Sequence, residues 1–155
     1  MIKLIYKTLI VSSLMVATTL PVLAQQLMVS EGYVRATIPG TNVSSAYMTL
    51  KNNSNSAVTL IGATSDVSKR IEIHEHVMTD SMMSMRQRQQ LVIDGGSQVQ
   101  LQPYGYHLMI FNLDQPLVAS ENVTITLQFL QGEPQKVVLP IHSIKKLSKD
   151  SHKHH

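Results

Sequence analysis

Val123-Thr124-Ile125-Thr126-Leu127-Gln128-Phe129 carries an apolar side chain at every second position, and Gln131-Gly132-Glu133-Pro134 follows before Lys136 to Pro140. A period of two puts Val123, Ile125, Leu127 and Phe129 on one face of a strand and the polar residues on the other. Glycine and proline then punctuate a turn, so the stretch reads as strand, turn, strand. The same grammar extends toward the N-terminus. Tyr106 to Asn112 is a strand after Pro103-Tyr104-Gly105, and Leu91-Val92-Ile93 runs into Asp94-Gly95-Gly96, a hairpin-type turn before Val99 and Leu101. Val58–Leu60 and Ile71–Ile73 alternate on either side of Ser65 to Lys69. Ala46 to Lys51 stops at Asn52-Asn53-Ser54-Asn55-Ser56, and Met28 to Ala36 ends at Ile38-Pro39-Gly40-Thr41-Asn42. Many short strands and no amphipathic helix predict an all-β domain, an antiparallel β-sandwich or Greek-key barrel.

The two ends are of different character. Residues 1–24 start with Lys3 and Lys7, continue through an apolar run from Thr8 to Leu20, and present Val22 and Ala24 before Gln25. That is the pattern of a secretory signal peptide cleaved after about Ala24. The apolar run falls short of the ~20 residues that span a bilayer, so no stable membrane insertion is expected. Residues 25–144 are then one domain, and residues 145–155 form a basic, histidine-containing tail with too little apolar content to pack. His152, His154 and His155 are interrupted by Lys153. They read either as a weak Cu(II)-binding tail or as a genetic tag. The expected location is the periplasm, and the expected state a monomer.

Cysteine is absent from all 155 residues. A cysteine-linked lipid, a thiolate metal site, a redox dithiol and a cysteine nucleophile are therefore excluded. An electron-transfer cupredoxin is excluded as well, because a blue-copper site needs a thiolate. His74-Glu75 begins like a zincin motif, but Met78 stands where the second histidine belongs, and no Gly-x-Ser-x-Gly elbow occurs. The chain does not read as an enzyme. A net charge of +3 with 5% aromatic residues, not interleaved with the basic ones, speaks against nucleic-acid binding.

Methionine is the anomaly. Nine occur, with Met78, Met82, Met83 and Met85 crowded into an otherwise polar segment. His107 and Met109, two apart on one strand, point to the same face. His74 ends the strand of Ile71 and Ile73, and a polar loop of ten residues could fold Met85 back beside it. Thioether sulfur selects Cu(I) over zinc, calcium or magnesium, and imidazole suits copper in either oxidation state. His74, Met85, His107 and Met109 are thus candidate ligands for one Cu(I) ion. His76, on the same strand face as His74, is an alternative ligand or a lip to the site. Met78 is a further auxiliary candidate. Met78, Met82 and Met83 could line the site or hand copper on, with loop packing expected for at least two of them. His142 is expected to be structural or exposed.

These residues resemble the motif of the periplasmic copper chaperones called PCuAC: histidine, ten residues, methionine, twenty-one residues, histidine, one residue, methionine. The surrounding Ile71-Glu72-Ile73-His74-Glu75-His76-Val77-Met78, Met83-Ser84-Met85-Arg86 and Gly105-Tyr106-His107-Leu108-Met109 are similar too, as is Ala46-Tyr47-Met48-Thr49-Leu50 with Asn52. With 7 His and 9 Met in the chain, the four spaced positions match by chance about once in a thousand. The resemblance, from about Val29 to Pro140, implies a cupredoxin-like fold and a Cu(I) carrier. It implies delivery to the CuA centre of cytochrome c oxidase subunit II, alongside Sco-type copper proteins. A periplasmic copper buffer serving tolerance needs the same site and is the alternative.

Overall fold

The computed structural model describes residues 27–79 and 82–143. The expected signal peptide and the tail with His152, His154 and His155 lie outside them. The strands are β1 Leu27–Arg35, β2 Ser44–Asn52, β3 Val58–Ser65, β4 Ser68–Thr79, β5 Met82–Arg88, β6 Leu91–Ile93, β7 Gln98–Leu101, β8 Tyr106–Phe111, β9 Asn122–Phe129 and β10 Gln135–His142. No helix occurs among the described residues. The order β4-β8-β7-β2-β1-β10-β9-β3 closes on itself because β3 also pairs with β4, while β5 and β6 extend the sheet beyond β4 and β3. The all-β, cupredoxin-like class expected from sequence is the one observed.

Alternation explains the interior. Val123, Ile125 and Leu127 of the strand quoted at the outset are buried, and Leu127 lies opposite Gln135 across the turn. They meet Leu50, Leu60, Ile73, Leu108 and Ile110 in one core cluster. Two pairings, β1–β10 and β7–β8, are parallel. Strand β1 takes its direction from β2 and β10 from β9, so where the two pairs meet the direction is already set.

Two local expectations are corrected. Asp94-Gly95-Gly96 does not join a hairpin: β6 pairs with β3, and β7 pairs with β2. The turn is held by the neighbouring loop instead. A Cβ on Gly95 would lie 2.5 Å from the carbonyl carbon of Asn55, Gly96 has φ +71°, and its N–H donates to Ser54 O at 2.9 Å. Only glycine permits that approach and that backbone. Beneath it lies the side chain of Asn52, fully buried. Its Nδ2 donates to Ser56 O (2.8 Å) and Ile93 O (3.0 Å), while Oδ1 accepts from Ser54 N (3.0 Å) and Ser54 Oγ (2.7 Å).

The second correction concerns the segment between His74 and Met85. It is no folded-over loop: β4 runs on to Thr79 and β5 returns in register, with His74 opposite Gln87, His76 opposite Met85 and Met78 opposite Met83. Much of this arm stands clear of the core, so its side chains show no apolar alternation, and ladder pairing is invisible to a periodicity argument.

Candidate metal centre

Ile71 and Ile73 of β4, and Leu108 and Ile110 of β8, turn into the core. Their neighbours must then face outward. That outer face carries Glu72, His74 and His76 from β4, His107 and Met109 from β8, and Tyr47 from β2. His74 is the direct cross-strand partner of His107. The ring centroids lie 6.1 Å apart for His74–His107 and 5.1 Å for His76–His107, the latter pair edge to face at 86°. Tyr47 covers His107 from the other side at 6.3 Å. Enclosed by these rings, His107 is only 3% exposed although it points away from the core.

Each imidazole is oriented from behind. The Gly105 carbonyl accepts from His107 Nδ1 at 3.0 Å and also from the backbone N–H of His76 at 3.2 Å. This leaves Nε2 as the basic nitrogen of His107. Glu72 Oε2 lies 2.9 Å from His74 Nε2, which donates to it. The hydrogen bond from His74, aided by Arg70 and opposed by burial, holds the Glu72 carboxyl below its usual range. The nitrogen of His74 left without a proton is then Nδ1, which is buried and has no hydrogen-bond partner. His76 Nδ1 is buried and unpartnered in the same way. A buried polar atom without a partner costs on the order of 1–3 kcal/mol. Two such nitrogens on same-face histidines two residues apart have the donor chemistry that a metal ion takes, and acceptors like Gly105 O and Glu72 set the tautomer of metal-binding histidines in general.

The methionines flank this cluster. Met85, 49% exposed, stands across from His76 on β5. Met109 lies on the opposite flank beside Glu72, and Ser45 Oγ donates to its Sδ at 3.3 Å. Their Cα atoms are on the order of 16 Å apart on a flat sheet, from ~4.8 Å per strand and ~3.4 Å per residue. His74 and His107 are therefore brought together, each methionine is brought to one side, and joining both thioethers on one ion requires the β4–β5 arm to bend over the histidines. Met78, Met82 and Met83 are all well exposed on that arm. Packing, expected for at least two of them, does not account for them. His142 is half-buried and stacks on Tyr33 at 5.0 Å. His76, named from its same-face spacing as an alternative ligand or a lip to the site, lies in the cluster beside His107.

Burial holds the His107 pKa below its ordinary value of 6.5, reinforced by His76 and His74, while the Gly105 hydrogen bond opposes the shift. The unfolded chain therefore takes up this proton first as the pH falls. The stability His107 contributes is fully present above 6.5 and is lost as the pH drops through the window below it. Urea midpoints of the metal-free protein should fall between pH 7 and pH 5, with a slope of at most about 1.4 kcal/mol per pH unit from this histidine. A His107→Gln variant should show a shallower slope. Glu72 acts in a lower window, its contribution being lost as the pH falls through and below the ordinary carboxylate range.

The family model described as putative lipoprotein LpqE-like matches residues 27–141. The putative lipoprotein Lxx21020 of Leifsonia xyli subsp. xyli is 29% identical over 119 residues, covering 76% of this chain and 70% of that protein. Among solved structures, the Cu(I) form of DR1885 from Deinococcus radiodurans is 29% identical, with a TM-score of 0.60 over 77% of this chain and 81% of that one. Its apo form is 26% identical, with the same TM-score over 91% and 95%. The copper-bound PCuAC domain from PmoF2 shares the fold, with a TM-score of 0.66 over 76% and 93% at 16% identity.

Proposed function

We propose, from the premise that this chain belongs to the LpqE-like family, that it binds one Cu(I) ion on the histidine–methionine face of its barrel and carries it outside the cytoplasm. The observation that carries the reading is the buried, unpartnered Nδ1 of His74 opposite a His107 whose Nδ1 is engaged by Gly105. The two imidazoles present basic nitrogens on a face flanked by thioethers. No thiolate is available. Nitrogen and thioether sulfur together favour Cu(I), and the Cu(I) named for the Deinococcus structure supports the same ion. His74, Met85, His107 and Met109 form the ligand set. Met85 joins as the arm closes and leaves as it opens, which gives a route for stepwise ligand exchange with a recipient.

Residues 1–24 supply the export signal in this reading. The Leifsonia relative is described as a putative lipoprotein, whereas these 155 residues contain no cysteine to receive a lipid. The lipoprotein description therefore stays with that relative. The recipient we propose is the CuA centre of cytochrome c oxidase subunit II, with Sco-type proteins as companions. The test mixes Cu(I)-loaded protein with the apo subunit II domain and follows the metal by separation and absorbance. Copper should move to the oxidase domain. Retention of copper by this protein, together with copper sensitivity of a deletion strain, would establish the buffer instead. The tail histidines should add only a weaker Cu(II) site, removed by truncation after Lys149.

A further inference from the structure

We infer that His76 is a third imidazole ligand, and that His74, His76 and His107 together let this face hold Cu(II) as well as Cu(I). The inference rests on the copper reading above and extends it to the oxidised ion. Three observations converge on His76. Its Nδ1 is buried and has no hydrogen-bond partner, as in His74. Its ring meets that of His107 at 5.1 Å, and its backbone is tied to the same Gly105 carbonyl that orients His107. Its cross-strand partner is Met85 while that of His74 is His107, so an ion shared by Met85 on β5 and His107 on β8 would lie over β4 between His74 and His76.

The spacing suits a common ion. Two imidazoles bound at a metal–nitrogen length near 2.0 Å have ring centroids from about 4.5 Å apart at a right angle to about 6.4 Å in line. The separations of His76 and His74 from His107, 5.1 Å and 6.1 Å, fall inside that range. Among the described residues no group of three His or acidic side chains is already placed to hold a metal, so a three-imidazole site would require the rings to rotate toward the ion. Cu(II) prefers nitrogen and oxygen donors in tetragonal arrangements, whereas Cu(I) accepts thioethers and fewer ligands. Three imidazoles with one methionine at the edge serve the first state, and two imidazoles with two methionines the second. His76 thus matters more for Cu(II) than for Cu(I).

The test uses the full chain with His152, His154 and His155 changed to alanine, which removes the tail as a competing site. Cu(II) chloride is titrated in, and electron paramagnetic resonance counts the coupled nitrogens. The parent should bind one Cu(II) with three imidazole nitrogens. His76→Ala should lose one nitrogen and weaken Cu(II) binding by roughly 10-fold or more, a larger factor than its effect on Cu(I) affinity. His76→Gln, which keeps a polar side chain on the strand, should behave the same and serves if the alanine variant folds poorly. An unchanged nitrogen count and Cu(II) affinity in both variants overturns the proposal. Failure of the Cu(I) reading appears separately, as unchanged Cu(I) affinity in His107→Ala.

Discussion

His107→Ala lowers Cu(I) affinity by about 100-fold or more, measured by competition with a chromophoric Cu(I) chelator. The residue stands at the centre of the face, packed by His74, His76 and Tyr47 and oriented through Gly105. Its loss would remove one of the proposed ligands and also the wall that fixes the other rings. Because His107 is nearly fully buried, the alanine variant also leaves a cavity, and part of its effect is structural. Met85→Leu separates the two contributions. Met85 is exposed, and leucine matches its volume and apolar character. This variant should keep the apo protein's denaturation midpoint and still lose roughly 10-fold or more in Cu(I) affinity. Wild-type affinity in both variants would remove His107 and Met85 from the ligand set.

Asn52→Leu destabilises the protein by about 3 kcal/mol or more, read as a drop in the urea midpoint at unchanged slope. The change keeps the branching of the side chain but is larger and strands the groups that Asn52 now joins: the Ile93 and Ser56 carbonyls, the Ser54 N–H and the Ser54 hydroxyl. Ser54 and Ser56 lie toward solvent and can turn to water. The bond to Ile93 O is buried, and that carbonyl has no such recourse. Ser54→Ala, which removes only the exposed hydroxyl, should cost about 1 kcal/mol. Cu(I) affinity should be unchanged in both, since Asn52 ends β2 while the metal face lies toward its start at Ser45 and Tyr47.

Much of the fold was legible because strand alternation and turn chemistry are local. The faces of β8 and β9, the turn before β10, and the outward pairing of His107 with Met109 follow from a period of two. The β4–β5 arm was not legible. Val77 to Arg88 mixes methionines, serines and arginines without alternation, because much of the arm is exposed and no buried face imposes a pattern. The Asp94-Gly95-Gly96 turn was misread for a related reason. Glycines announce a tight backbone, but what crowds Gly95 is Asn55, from the loop between β2 and β3.

The sequence by itself determined the ligand chemistry: a cysteine-free chain whose histidines and methionines recur at fixed spacings offers imidazole and thioether and nothing softer. It also determined which residues share a strand face. Tertiary structure decided what those faces meet. The register of β4 against β8 sets His74 opposite His107, and the register of β4 against β5 sets His76 opposite Met85. The Gly105 carbonyl and the Glu72 carboxylate decide which ring nitrogens remain free. Pairing depends on partners distant in the chain, while the tautomer-setting acceptors are local, each two residues from its histidine. Each strand's own alternation is compatible with several registers. Barrel closure selects one of them, and with it brings His76 into the cluster.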